Sequence, residues 1–147
     1  MKENQPLFEF SFSDELKHLI KSTSQSSIRL GKDSSRGIDN NINTNVYTNY
    51  DWRAWWRAVF SRKIALFSVK IVSRQNCCPD RTSNMDVVIL PSQILCGNTG
   101  ILQTNGQSVT LRCPSPMTPT DVVEFKMKND VGIYFNFAEA YFEGFPL

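Results

Sequence analysis

The chain has 147 residues, and its 16 lysines and arginines against 14 aspartates and glutamates give a formal net charge of +2. Hydrophobic residues make up 41% and aromatic residues 12%, which excludes a wholly disordered chain and a coiled-coil rod. No run of residues approaches the roughly 18 apolar positions of a membrane-spanning helix. The small charge excess does not require an acidic partner.

The N-terminal third combines one patterned segment with a polar one. Residues 7–12 alternate apolar and polar side chains, which predicts a short strand. Ser13 is a favourable N-cap followed by acidic and then helically spaced apolar residues, so a short helix is predicted over about 13–22. These elements form a first segment, 1–22. The next segment, 23–49, is rich in Ser, Asn, Thr and Gly and is predicted to be a polar flexible arm or a long loop.

The segment 51–62 has the strongest pattern in the chain. Its large apolar residues recur at helical spacing, which predicts an amphipathic helix of about three turns. That helix would open a β-rich domain spanning 50–147. An edge strand is the alternative, because Trp and Phe also favour strands. The residues that carry the pattern are Trp52, Trp55, Trp56, Val59 and Phe60.

Beyond residue 62 the hydrophobic period changes from 3.6 to about 2, which indicates β-strands. Asn105-Gly106 is a strong hairpin signal between two short runs. We therefore predict a mainly β fold, an antiparallel sandwich or jelly-roll-like domain, with one or two short helices in the N-terminal third. An OB-like barrel is the alternative. The strands are predicted at 63–72, 85–90, 101–104, 107–113, 121–128 and 131–137.

Residues suited to catalysis or metal binding are scarce. His18 is the only histidine, and its place in a short helix beside a polar segment is typical of a surface residue. The four cysteines, Cys77, Cys78, Cys96 and Cys113, lack the paired spacing of zinc sites. Arg74 and Arg81 flank the adjacent pair and could lower a thiol pKa there. The sequence thus predicts no enzyme, no catalytic residues, no metal and no cofactor.

The N-terminus has no apolar run of the kind found in secretory signals, so an intracellular location (cytoplasm or nucleus) or a virion is expected. Reduced thiols are expected for the same reason.

The functional interpretation depends on the Trp- and Arg-rich segment. High aromatic content and few catalytic groups favour a non-enzymatic structural or protein-interaction subunit, such as a small viral coat or assembly protein, that forms a homo-oligomer or binds a protein partner. The alternative is a β-barrel that binds single-stranded nucleic acid through residues 52–63. The interpretation that the pattern itself favours is that the stripe is the core-facing side of its own helix. The candidate interaction residues are Trp52, Arg53, Trp55, Trp56, Arg57, Phe60, Arg62 and Lys63.

Overall fold

The computed structural model describes residues 14–128 and 130–147. The strand predicted at 7–12 lies outside these ranges. Short 3-10 turns occur at Lys17–Leu19, Ser34–Ile38 and Pro79–Thr82, and the described ranges contain no α-helix. No helix there is long and apolar enough to cross a bilayer. The strands are β1 (Asp14–Glu15), β2 (Ile20–Gln25), β3 (Asp51–Trp52), β4 (Trp55–Val72), β5 (Met85–Leu90), β6 (Ile94–Asn98), β7 (Ser108–Arg112), β8 (Thr120–Met127), β9 (Gly132–Ile133) and β10 (Glu139–Pro146).

The 18-residue strand β4 belongs to both layers of the fold. Its first part, 55–60, lies between β2 and β8, and β5 and β6 continue that layer. Its last part, 64–72, lies between β10 and β7, and β1 adds to β10. All of these pairings are antiparallel. The predicted antiparallel sandwich is confirmed, and the OB-like barrel is not supported because the strands divide between two layers that share β4.

An aromatic cluster fills the space between the two layers. The Trp56 ring of one layer stacks on Phe142 of the other, with centroids 6.3 Å apart. Phe60 and Phe125 also contact Phe142, at 5.6 and 6.0 Å. Phe137 meets Trp56 edge-on at 5.2 Å. All five side chains are at most 1% exposed, so this cluster supplies much of the apolar burial that holds the layers together.

The helix predicted over 51–62 is wrong, because most of that segment lies in β4. Trp56, Ala58 and Phe60 are buried, and the residues between them are only half-buried. The apolar residues happen to satisfy both a period of 3.6 and a period of 2. Hydrogen-bonding strands on both sides select the second, and they make this a central strand and not the edge strand of the alternative.

The N-terminal helix predicted over about 13–22 is also wrong. In its place are β1, one 3-10 turn and the start of β2. Pairing of β2 with β4 outweighs the weak helical preference of this short segment. His18 lies in the 3-10 turn and is exposed.

Several predicted strands are present, and two are altered. Those at 63–72, 85–90 and 121–128 correspond to the end of β4, to β5 and to β8. The predicted hairpin at Asn105-Gly106 does not form, because 101–104 is not a strand and β7 pairs with β4 instead.

The strand predicted at 131–137 is reduced to β9. The residues after β9 are hydrogen-bonded to the loop that precedes β3. The Thr48 amide donates to the Phe135 carbonyl, and the Val46 amide donates to the Phe137 carbonyl. This ladder fixes the 46–48 segment against the core.

A disulfide joins the free edges of the two layers. Cys96 lies in β6, at the edge of one layer, and Cys113 directly follows β7, at the edge of the other. The second disulfide links the adjacent residues Cys77 and Cys78, so no cysteine is free. The expectation of reduced thiols is therefore wrong.

Truncation of two tryptophans from the same segment is expected to change the stability of the protein by very different amounts. Trp56→Ala should lower the free energy of unfolding by about 3–5 kcal/mol, because it removes a fully buried ring from the aromatic cluster. Trp52→Ala should change it by less than about 0.5 kcal/mol, because Trp52 is 63% exposed. Urea unfolding monitored by circular dichroism measures both. Equal losses would contradict the assignment of Trp56 to the core.

Candidate functional site

Three arginines and two tyrosines from distant parts of the chain meet on one surface. Arg29 follows β2, Tyr47 precedes β3, and Tyr134 follows β9. Arg74 and Arg81 flank the Cys77–Cys78 disulfide in the loop after β4. We call these five residues and the disulfide the arginine–tyrosine site.

Backbone hydrogen bonds hold the loops of the site together. The Arg29 amide donates to the Tyr47 carbonyl at 2.9 Å, and the Asn136 amide donates to the Arg81 carbonyl at 3.2 Å. The Thr82 hydroxyl donates to the Asn136 carbonyl in the buried layer beneath. The loops are thus mutually braced, so that the side chains above them are pre-positioned.

The guanidinium groups surround the two tyrosine rings. The guanidinium carbon of Arg29 lies 5.7 Å from the Tyr47 ring centroid and 5.0 Å from that of Tyr134. The corresponding distances for Arg81 are 5.4 and 5.1 Å. Arg74 lies 5.8 Å from the Tyr47 centroid. Cation–π attraction to shared rings offsets part of the repulsion among three like charges.

The arginines keep hydrogen-bond donors for a ligand. Arg81 Nη1 donates to the Tyr47 hydroxyl at 3.2 Å, and Arg74 Nε donates to Asn76 Oδ1 at 2.7 Å. Arg29 Nε is buried and has no hydrogen-bond partner among the described residues. Within that same part of the chain none of the three forms an ion pair. Since each guanidinium has five N–H donors, the site is rich in unused donors and positively charged.

The Cys77–Cys78 disulfide lies between Arg74 and Arg81 in the chain. Both residues are half-buried, and Cys78 adopts a left-handed backbone conformation with φ of 68°. The 3-10 turn that follows is closed by the Arg81 amide, which donates to the Cys78 carbonyl at 3.0 Å. Disulfide sulfur accepts hydrogen bonds weakly and is polarisable, so it adds an apolar surface to an otherwise polar site.

A buried ion pair anchors the loop that leads to Tyr47. Lys17 Nζ lies 2.5 Å from Glu139 Oε2 and 2.7 Å from Asn40 Oδ1. The Asn40 amide also donates to Glu139 Oε2, at 3.0 Å. Desolvation by burial raises the pKa of the Glu139 carboxyl, and its hydrogen bond from Lys17 opposes that rise. This polar contact ties the 33–49 loop to β10 through Asn40.

The structure does not bring the eight predicted interaction residues into one site. Trp56 and Phe60 are at most 1% exposed and pack in the core, so their side chains cannot reach a partner. Trp55 and Arg57 are half-buried neighbours, with the guanidinium carbon 4.9 Å from the indole centroid. Arg57 also pairs with Glu124 of β8 at 2.5 Å.

The remaining four residues lie at two separate places. Arg62 donates to the Leu147 carbonyl, and Lys63 lies 3.4 Å from Asp121. Trp52 and Arg53 are beside β9, and Arg53 pairs with Asp130 at 2.6 Å. An interaction role for the exposed members stays a prediction.

Sequence reasoning missed Arg29, Tyr47 and Tyr134 as functional residues. It noted Arg74 and Arg81 only as neighbours that could lower a thiol pKa. The sequence signal that could have pointed to the site was the adjacent cysteine pair with an arginine on each side. These two cysteines bond to each other, so the disulfide and both arginines belong to one short stretch of the chain. Among the described residues, no cluster of three or more His, Cys, Asp or Glu side chains is arranged to hold a metal ion.

Comparison of the sequence with curated proteins finds fucolectins. The chain is 28% identical over 107 residues to fucolectin-6 of Anguilla japonica, covering 66% of this chain and 57% of the relative. It is 31% identical over 106 residues to fucolectin of Anguilla anguilla, covering 63% of this chain and 66% of the relative. The chain therefore spans roughly three fifths of the length of the curated relatives that it matches. No family model matches the sequence.

Solved structures of similar fold include sugar-binding proteins. An F-lectin from striped bass (Morone saxatilis) serum aligns with a TM-score of 0.80 at 20% identity, covering 91% of this chain and 48% of that one. A fucose binding module of Streptococcus pneumoniae gives 0.70 at 24% identity, covering 86% and 92%. The lectin domain of lectinolysin complexed with Lewis b antigen gives 0.71 at 23% identity, covering 87% and 95%. At these identities the alignments show a shared fold.

These comparisons correct two predictions from the sequence. The interpretation as a viral coat or assembly subunit, and the alternative of a nucleic-acid-binding barrel, are wrong, because the similar proteins are fucolectins and fucose binding modules. The intracellular or virion location is also contradicted, because one similar structure is a serum protein. The two disulfides agree with that correction, since disulfides persist mainly in oxidising compartments. The predicted homo-oligomer or protein partner stays a prediction.

The Glu139 anchor predicts a specific pH dependence of stability. Because the folded-state pKa of Glu139 is raised, the native state holds this proton more tightly than the unfolded chain. Its contribution to stability is therefore complete below the unfolded-state pKa of about 4.3. That contribution is lost as the pH rises through the folded-state pKa.

The wild-type protein should accordingly lose stability relative to Glu139→Gln as the pH is raised from about 4. The measurement is urea unfolding of both proteins at several pH values. A wild-type protein that gains stability relative to Glu139→Gln as the pH rises would contradict this reading of the anchor.

Proposed function

We propose that this chain is a non-catalytic, carbohydrate-binding module that holds fucose at the arginine–tyrosine site. The observation that carries the proposal is the convergence of three guanidinium groups on two tyrosine rings, with a vicinal disulfide in the chain between Arg74 and Arg81. Support comes from a sandwich fold shared with fucose-binding proteins and from sequence similarity to fucolectins.

The chemistry of the site matches that of a 6-deoxy sugar. Fucose presents hydroxyl and ring oxygens that accept hydrogen bonds, together with C–H faces and one methyl group. Arg74 and Arg81 supply N–H donors in a fixed planar arrangement. The Cys77–Cys78 sulfur atoms and the tyrosine rings supply polarisable surface for the C–H groups. Each type of group on the sugar thus has a counterpart in the site.

We place the module outside the cell. Two disulfides, one of them at the proposed binding surface, require an oxidising compartment to persist. The similarity to a serum lectin supports the same location. A glycan-binding module there would meet fucosylated glycans on cell surfaces or on secreted proteins.

Removing one arginine should weaken sugar binding without unfolding the protein. Arg81→Ala and Arg74→Ala should each reduce the affinity for methyl α-fucoside roughly tenfold or more, because a hydrogen bond from a charged donor contributes about 1.5–3 kcal/mol. Isothermal titration calorimetry measures this. Arg112→Ala is the matched control, because Arg112 is an exposed arginine in β7 that stacks on Phe67.

Three results would bear on this proposal directly. Wild-type protein that fails to bind methyl α-fucoside would overturn it. So would unchanged affinity in both site variants, or an equal loss in Arg112→Ala. Circular dichroism of each variant shows whether the fold is retained.

The two disulfides should have separable effects. Cys77→Ser/Cys78→Ser should weaken binding of methyl α-fucoside several-fold with little change in stability, because the bond closes no chain loop. Cys96→Ser/Cys113→Ser should instead lower the unfolding free energy by about 3 kcal/mol, since that bond joins residues 17 positions apart, and should leave affinity unchanged. Calorimetric titration and thermal unfolding of both double variants test this. The opposite assignment of effects would exclude the vicinal disulfide from the binding surface.

A further inference from the structure

A row of exposed aromatic side chains extends from the arginine–tyrosine site. In the β3–β9 pair, Asp51 is opposite Ile133 and Trp52 is opposite Gly132. This register puts Tyr50 opposite Tyr134. Because alternate residues of a strand share a face with their cross-strand partners, positions 50, 52, 132 and 134 lie on one face. The rings of Tyr50 and Tyr134 confirm this, with centroids 5.1 Å apart.

The row is continuous with the proposed binding surface. Tyr134 belongs to that surface, where its ring lies 5.9 Å from that of Tyr47. The Tyr50 ring contacts the Tyr134 ring edge-on. Trp52 follows two residues later on the same face. Tyr50 is 64% exposed and Trp52 is 63% exposed. Exposed large aromatics next to a binding site are typical of an interaction surface.

Local packing orients both rings. The Tyr50 ring lies directly over Gly132, where an added Cβ would be 2.5 Å from Tyr50 Cε2. The Arg53 guanidinium stacks on Trp52, with its carbon 4.5 Å from the ring. Arg53 is itself paired with Asp130 at 2.6 Å, which offsets its charge. The row therefore presents ordered aromatic surface with little net charge.

We propose that Tyr50 and Trp52 form a second subsite for the sugar ring that follows fucose in an oligosaccharide. This inference rests on the proposed function. A neutral pyranose next to fucose would reach beyond Tyr134 when fucose occupies the arginine–tyrosine site, because Tyr50 adjoins Tyr134 directly. An aromatic ring packs well against the C–H face of such a pyranose and needs no charge to do so. The arginine–tyrosine site then holds the terminal fucose, and the aromatic row selects for the chain attached to it.

The test compares two ligands on the same variants. Methyl α-fucoside reports the first subsite alone, and a fucosyl-galactose disaccharide reports both. Tyr50→Ala and Trp52→Ala should each weaken disaccharide binding roughly three- to tenfold, the effect of losing one aromatic contact. Their affinity for methyl α-fucoside should stay at the wild-type value. Leu95→Ala is the matched control, because Leu95 is an exposed apolar residue at the β6 edge.

Gly132→Ala tests the same subsite without deleting an aromatic ring. The new methyl group would lie 2.5 Å from Tyr50 Cε2, so the exposed Tyr50 ring must shift to make room for it. Disaccharide affinity should fall towards that of Tyr50→Ala, and methyl α-fucoside affinity should not change.

The outcomes separate this inference from the function on which it rests. If wild-type protein does not bind methyl α-fucoside, both fail. If it binds, but the Tyr50 and Trp52 variants lose both ligands equally or lose neither, only the second subsite is overturned. A lower particle mass for these variants in light scattering, with unchanged disaccharide affinity, would instead make the row an interface between copies of the chain.

Discussion

The pairing of β4 with strands of both layers is the constraint on which the rest of the structure depends. Since its two parts hydrogen-bond to different strands, the Trp56 and Phe142 rings meet between the layers. The same strand also organises the surface. Tyr50 and Trp52 lie just before its start, and the Cys77–Cys78 loop lies just after its end. Tyr50 and Trp52 of the proposed second subsite, and Arg74 and Arg81 of the arginine–tyrosine site, therefore come from segments next to one central strand, which suits a site that must be formed before its ligand arrives.

The charged residues of the interior and those of the arginine–tyrosine site have different partners. The buried Lys17–Glu139 pair satisfies two charges that would be costly alone, and it ties a loop to β10. Arg29, Arg74 and Arg81 instead lie near aromatic rings and, among the described residues, have no carboxylate partner. A small net charge for the whole chain thus coexists with a concentrated positive surface, which composition alone does not reveal.

The sequence predicted secondary structure best where the apolar residues fitted the strand period of 2 and not the helical period of 3.6. Alternation at 63–72 and 121–128 identified strands, and these led to the sandwich. At 51–62 the spacing of the large apolar residues fitted both a helix and a strand, and only cross-strand pairing decides between them. The arginine–tyrosine site was harder still to predict, because Arg29 and Tyr134 lie far apart in the chain and no local pattern links them. Disulfide pairing likewise follows from three-dimensional proximity and was not accessible from cysteine spacing.

Trp52 and Trp56 show why residue type could not assign function here. Both are tryptophans in the same aromatic and basic segment, and both suited an interaction surface on composition. Trp56 lies in β4 between two strands, so its ring is buried and its indole Nε1 donates to the Ser34 carbonyl at 2.9 Å. Trp52 is paired only with Gly132, a residue without a side chain to cover it. The small partner leaves the Trp52 ring 63% exposed, and this exposure is what allows Trp52 the role in the proposed second subsite.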